Sequence, residues 1–152
     1  MKEVLNVTVF TLVHSWAQDV DLTYELEKSK FSPDLIDVIL YLSNESENDI
    51  YFLTESCNGL DYYLTTNSEL VEVYILINCN GSSPIKVELK AGAIYEYKTT
   101  LKVNGNVEKI GLDLELIQLL KTPKIEGKLI GEVQDEHVQH TSKIIGPIVS
   151  VE

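Results

Sequence analysis

The stretch YEYKTTLKVNGNVEKIGLDLEL, Tyr95 to Leu116, decides the fold class. Tyr95, Tyr97, Thr99, Leu101 and Val103 alternate with Glu96, Lys98, Thr100 and Lys102. After the turn, Ile110, Leu112, Leu114 and Leu116 are spaced by two around Asp113 and Glu115. A period of two puts one face of a strand on a core and the other in water. It also rules out a helix over Ile110 to Leu120, whose apolar residues would recur every three or four positions. Between the two runs, Asn104-Gly105 supplies the positive φ angles of a tight turn, so the pair reads as a β-hairpin.

The same period extends outward. Leu22, Tyr24 and Leu26 alternate with Asp21, Thr23, Glu25 and Glu27, and Ile85, Val87 and Leu89 alternate with Lys86 and Glu88. Two further runs, Val38 to Leu42 and Val71 to Ile77, are apolar on both faces and read as central strands or as strands covered by a loop or partner. Val4 to Val13 reads as a first strand, because Asn6, Thr8 and Thr11 interrupt what would otherwise resemble a signal-peptide core. With Ile50 to Thr54, a short Tyr62 to Thr65 and pieces near the C-terminus, about ten strands are expected. Ser32-Pro33-Asp34, Asn58-Gly59 and Asn80-Gly81 mark turns between them. The expected fold is an all-β, antiparallel, Ig-like β-sandwich occupying residues 1–152 as one domain, with a β-barrel as the alternative.

Composition narrows the function. Val, Ile, Thr and Tyr are abundant and Ala occurs three times in 152 residues, which favours strands over helices. The formal net charge is −12, and all twelve cationic residues are lysine. Nucleic acid is an improbable partner for such a chain, since binding requires phosphate neutralisation and is usually served by arginine forks. No run reaches the length of a membrane span. An acidic surface suits a basic protein or a cation.

The segments LYLSNESENDIYF, LDYYLTTN and LKAGAIYEYKTTL carry Asn44 with Ser46, Asp61-Tyr62, and Leu89 with Gly92. This pattern resembles the Ig-like domain of bacterial intracellular proteinase inhibitors. It covers under half of the chain, and the Trp-bearing middle segment of that family is missing, since the only Trp is Trp16. The resemblance implies an Ig-like sandwich and a role in binding another protein.

Candidate chemistry is sparse. NESEND, Asn44 to Asp49, brings Glu45, Glu47 and Asp49 close in sequence, but it lacks the glycine bend of a calcium loop. It reads as the solvated turn of a hairpin. Asp19 and Asp21 form a second acidic pair with no better claim to a cation. Cys57-Asn58-Gly59 and Cys79-Asn80-Gly81 repeat one context at strand ends. Two strands flanking a third lie about 9–10 Å apart, too far for a disulfide. Bonding therefore needs curled strand ends or opposite sheets, and both a disulfide and two free thiols remain open. His137 and His140 are weak metal candidates that no third ligand completes, and they read as solvated residues of a C-terminal loop. His14 reads as a strand-end residue. Sequons occur at Asn6, Asn44 and Asn80.

No nucleophile elbow, phosphate loop or dinucleotide fingerprint is present, and no cofactor is implied. The sequence thus points to a non-enzymatic acidic module that binds a basic protein, such as an inhibitor or immunity-type protein. Its expected contact surface is Glu45, Glu47 and Asp49 with Tyr51, Tyr62 and Tyr63, because tyrosines anchor interfaces. An extracellular or cell-surface structural or carbohydrate-binding module is the alternative, and a small hydrolase the third reading. The compartment is open: cytoplasmic, or periplasmic or secreted.

Overall fold

Residues 19–122 and 124–152 are described by a computed structural model. The expected strand Val4 to Val13, together with His14, Trp16 and the sequon at Asn6, lies outside the described residues. Within them the chain forms β1 (Val20–Lys28), β2 (Leu35–Asn44), β3 (Ile50–Glu55), β4 (Leu64–Thr66), β5 (Val71–Val73), β6 (Pro84–Leu89), β7 (Ile94–Val103), β8 (Lys109–Leu119) and β9 (Val138–Ser150). A 3-10 turn, Asp61–Tyr63, precedes β4, and a helix α1 (Ile130–Glu136) precedes β9.

Every ladder is antiparallel. The first sheet runs β1-β2-β7-β5. In the second, β9 follows one edge of β8, while β4 and β3 share the other and β6 pairs with β3. Neither sheet closes on itself, so the fold is an Ig-like sandwich and not a barrel. The inward residues are those that the alternation selects. Leu22, Val38, Leu40, Leu42 and Leu101 from the first sheet meet Phe52, Ile110, Leu112, Leu114 and Leu116 from the second. Phe52 stands edge-on to Tyr95 across the interface, ring centroids 5.2 Å apart. Each fully buried leucine or phenylalanine contributes about 1.5–3 kcal/mol of transfer free energy.

Two turns differ from the hairpin reading. β7 and β8 lie in different sheets, so Asn104-Gly105 carries the chain across the sandwich. Both edges of β7 are taken, by β2 and by β5, leaving no place for β8 beside it. The turn backbone is bound elsewhere: Val103 N–H donates to Asp34 C=O at 2.8 Å and Asn104 N–H to Leu70 C=O at 2.7 Å. Asn44 to Asp49 likewise joins β2 in one sheet to β3 in the other. Alternation fixes which residues face the core but not which sheet a strand joins.

Other expectations are also corrected. Val38 to Leu42 is indeed central, within β2, whereas Val71 to Ile77 supplies only the three-residue edge strand β5. Tyr74 N–H still reaches Thr100 C=O at 2.8 Å, and the chain then leaves the ladder with Leu76 and Ile77 exposed. Tyr62 belongs to the 3-10 turn, not to a strand. Ile85 is exposed on the edge strand β6. The C-terminal pieces are one helix and one long strand. Val133 of α1 is fully buried, as are Leu53 and Leu119, and Ile117 is buried beside Leu116 in sequence.

One corner of the sandwich is closed by Tyr24 of β1. Its hydroxyl accepts from Leu112 N–H at 3.2 Å and donates toward Ile110 C=O at 2.9 Å, with Pro147 C=O also in reach. The β8–β9 register slips here, between Gly111 and Asp113, opposite Gly146-Pro147. Pro147 has no N–H to offer, and Tyr24 supplies the missing partner. Gly146 is required by space: a Cβ there would sit 2.4 Å from Leu112 C=O and 3.0 Å from the Tyr24 ring.

Candidate functional site

The acidic loop is organised by Asn44, which is fully buried at the end of β2. Its Nδ2 donates to Asn48 C=O at 2.8 Å and Leu89 C=O at 3.0 Å. Its Oδ1 accepts from Ser46 N–H at 3.1 Å and Ser46 O–H at 2.7 Å. Gly92, at φ 72°, and Ala93 complete the connection through backbone bonds to Asn44. Thus the Asn44, Ser46, Leu89 and Gly92 positions singled out in sequence form one joint between the β2–β3 and β6–β7 connections.

The carboxylates of this loop do not converge. Asp49 accepts Ala91 N–H at 2.9 Å and pairs with Lys90 at 3.2 Å. The Ala91 bond, then Lys90, hold its carboxyl below the usual range. Lys90 also grips Glu88 at 2.7 Å, and Tyr51 O–H donates to Glu88 at 3.0 Å. Glu45 and Glu47 are left exposed in solvent. Among the described residues no three His, Cys, Asp or Glu side chains are gathered as a metal site.

Tyr62 and Tyr63 stand at the far end of β3, about 17 Å from the loop by strand rise alone. The structure therefore does not unite the expected contact residues into one patch. Tyr62 is exposed, but Tyr63 is buried and donates to Glu55 at 2.9 Å, so it is a packing residue. Burial, reinforced by Glu55, pushes its hydroxyl pKa up. Next to it, Asp61 Oδ1 accepts from Thr99 at 2.7 Å and from Tyr97 at 2.9 Å. Burial raises the Asp61 pKa despite those two bonds. Tyr97 packs against Gly59, where the chain takes two consecutive left-handed residues, Asn58 and Gly59.

Cys57 and Cys79 are joined as a disulfide, Cα atoms 6.4 Å apart. Residues 74–83 cross from β5 in the first sheet to β6 in the second, and this crossing brings the cysteines together. Asn58 Nδ2 donates to Ile77 C=O at 2.9 Å, and Ser56 N–H to Ser83 C=O at 2.9 Å, fixing the crossing on either side.

The histidines are not in a solvated loop. His137 ends α1 and is buried, with Nε2 lacking a hydrogen-bond partner and Glu136 at 3.6 Å. His140 lies on β9 opposite Gln118 and is exposed. They occupy different elements and share no site.

A further acidic surface emerges on the outward face of the first sheet. The register aligns Glu27 with Asp37 and Thr100, Glu25 with Ile39 and Lys98, and Thr23 with Tyr41 and Glu96. Asp21 extends the row on β1. Tyr41 O–H reaches Glu25 at 3.4 Å, and Thr100 O–H reaches Asp37 at 3.3 Å. Desolvation first, then Glu25 and Glu96, pushes the Tyr41 pKa up. A depression of about 620 Å³ runs between these rows. The alternation in Asp21 to Glu27 signals one side of this face; Asp37 and Glu96 join it only through strand register.

No family model matches the sequence, and no curated protein matches it. Among solved structures, the chain is similar to a crystal structure of a FixG-related protein from Vibrio parahaemolyticus. The TM-score is 0.39 and the identity 8%, covering 86% of this chain and 98% of that one. Among the described residues no helix is long and apolar enough to cross a membrane.

Proposed function

We propose that the protein is a non-enzymatic binding module that engages a basic protein segment through the outward face of β1, β2 and β7. The observation that carries this reading is the in-register set Asp21, Glu25, Glu27, Asp37 and Glu96 around Tyr41 and Ile39. Lys98 is the counter-charge within those rows, 3.8 Å from Glu96, so the face keeps a net negative charge. Tyr41 and Ile39 are half-buried on this face, giving a rigid apolar centre inside a charged rim. The acidic loop is a weaker contact surface, because Asp49 is neutralised by Lys90.

The test is co-purification from native lysate at low salt, comparing wild type with Glu25→Lys/Glu27→Lys. A basic protein retained by wild type and lost from the variant supports the reading. Equal retention by both, or none by either, refutes it. Binding should also weaken with added salt, since the charges are exposed and screened.

A second reading, an extracytoplasmic structural or accessory module, draws support from the Cys57–Cys79 disulfide, which suits an oxidising compartment. The same disulfide tells against the intracellular setting of the inhibitor resemblance.

A further inference from the structure

We propose that the groove between β6 and Lys121, Thr122, Lys124, Ile125 and Glu126 binds a small organic monocarboxylate with an apolar body. The groove is a depression of about 620 Å³, beside β6 of the second sheet and away from the acidic face. That volume lies within the range of small-ligand sites, about 300–1,000 Å³. Its cationic wall is Lys86, Lys121 and Lys124, three of the twelve lysines in a chain of net charge −12. Its apolar wall is Ile85, Ile125 and the Tyr51 ring.

The local charge balance favours an anion. Two carboxylates also line the groove, Glu88 and Glu126. Glu88 is already held by Lys90 at 2.7 Å and by Tyr51 O–H at 3.0 Å. Lys121 and Lys124 form no ion pair among the described residues. Lys86 is fixed in place by donating to Lys121 C=O at 3.1 Å. Its ammonium is partly desolvated, which lowers its pKa, with Glu126 opposing. Three lysines against two glutamates leave one positive charge in the lining, with Asp49 acting on Lys121 from outside it, and a carboxylate beside Lys121 and Lys124 would offset that charge. Glu88 and Glu126 at the margins disfavour a second negative charge, which selects a monoanion over a phosphate ester or diacid. The exposed Ile85 side chain then receives the apolar body.

The probe is octanoate, titrated into the full chain by calorimetry and by methyl NMR of Ile85 and Ile125, with octanol as the uncharged control. Saturable binding with Kd of about 1 mM or tighter is expected. Lys121→Ala/Lys124→Ala should weaken it by at least about tenfold, as expected for losing a charge-assisted contact. Both side chains are exposed, so this variant retains its fold, which circular dichroism verifies. Lys28→Ala/Lys30→Ala, remote from the groove, should leave the affinity unchanged. The proposal is overturned by absence of saturable binding, by equal affinity in the groove variant, or by octanol binding as tightly as octanoate.

Discussion

Replacing Tyr24 with Phe removes one oxygen and little else, so it isolates the corner bond between the sheets. Tyr24 is 6% exposed, and its hydroxyl is the acceptor for Leu112 N–H. Leu112 is itself 0% exposed, so no solvent water can take the place of the lost acceptor. The variant therefore leaves a buried donor unpaired, a loss of about 1–3 kcal/mol. Ile110 C=O loses one acceptor contact as well. Taking about 2 kcal/mol, the melting temperature should fall by about 4–8 °C for a domain of this size. Urea unfolding followed by circular dichroism should show a lower midpoint at unchanged slope, since the folded architecture is retained. Tyr62→Phe, at an exposed ring, is the control and should be neutral. A Tyr24→Phe melting temperature within about 1 °C of wild type would refute the reasoning. Alkali gives a second check. Burial raises the native Tyr24 pKa above the ordinary tyrosine value of 10.0, with Leu112 N–H opposing the rise and Asp113 adding to it. The unfolded chain therefore loses this proton first. The associated stability is complete below pH 10.0 and declines as pH rises toward the native pKa. Tyr24→Phe should lose less stability than wild type across that interval.

Asn44→Ala removes the joint between two connections and should cost about 2–4 kcal/mol, because Leu89 C=O and the loop backbone lose their partners; thermal melts of Asn44→Ala and Asn44→Asp measure it, both being destabilised. Cys57→Ser/Cys79→Ser opens a link spanning 22 residues and should lower stability by about 3 kcal/mol, read by urea unfolding with and without a dithiol reductant. The reductant should lower the stability of wild type and leave the variant unchanged. Gly59→Ala would place a Cβ 2.5 Å from the Tyr97 ring at φ 47°, so it should unfold at clearly lower temperature than Gly81→Ala, where the added methyl meets open space. Asp61→Asn keeps an Oδ1 acceptor for Thr99 and Tyr97 without a buried charge and should match or exceed wild type at neutral pH, whereas Asp61→Ala should be destabilised. The raised Asp61 pKa means its favourable contribution is present below the unfolded value and lost as pH rises through the folded one. The gap between Asp61→Asn and wild type should therefore narrow on acidification toward the ordinary carboxylate value of 3.8.

The strands with clean alternation were legible in sequence. β1, β7 and β8 fall where their apolar residues recur every two positions, β2 where the run Val38 to Leu42 is apolar on both faces, and their inward residues form the core. What sequence spacing could not supply was sheet membership. An Asn-Gly pair provides positive φ whether the chain turns back beside its own strand or crosses to the opposing sheet. α1 gave no helical signal because it is seven residues long and Leu129, at its N-cap, is not a capping residue. Glu132 compensates by accepting Leu129 N–H at 2.8 Å. His137 was hidden for the same reason, since its burial depends on α1. The candidate acidic face was half legible: β1 showed its carboxylates, but Asp37 and Glu96 join them through pairings invisible in a single chain.

The Tyr24 corner also orders events during synthesis. Its hydroxyl contacts lie 86 residues away in β8 and 123 residues away in β9. β1 therefore emerges from the ribosome long before the strands that seal its buried edge exist. Until β9 is released, the inward side of β1 and the Leu112 backbone stay wet, and the sandwich waits open along one seam. Emergence of β9, rather than any local turn, sets the earliest moment at which the Tyr24 corner can close.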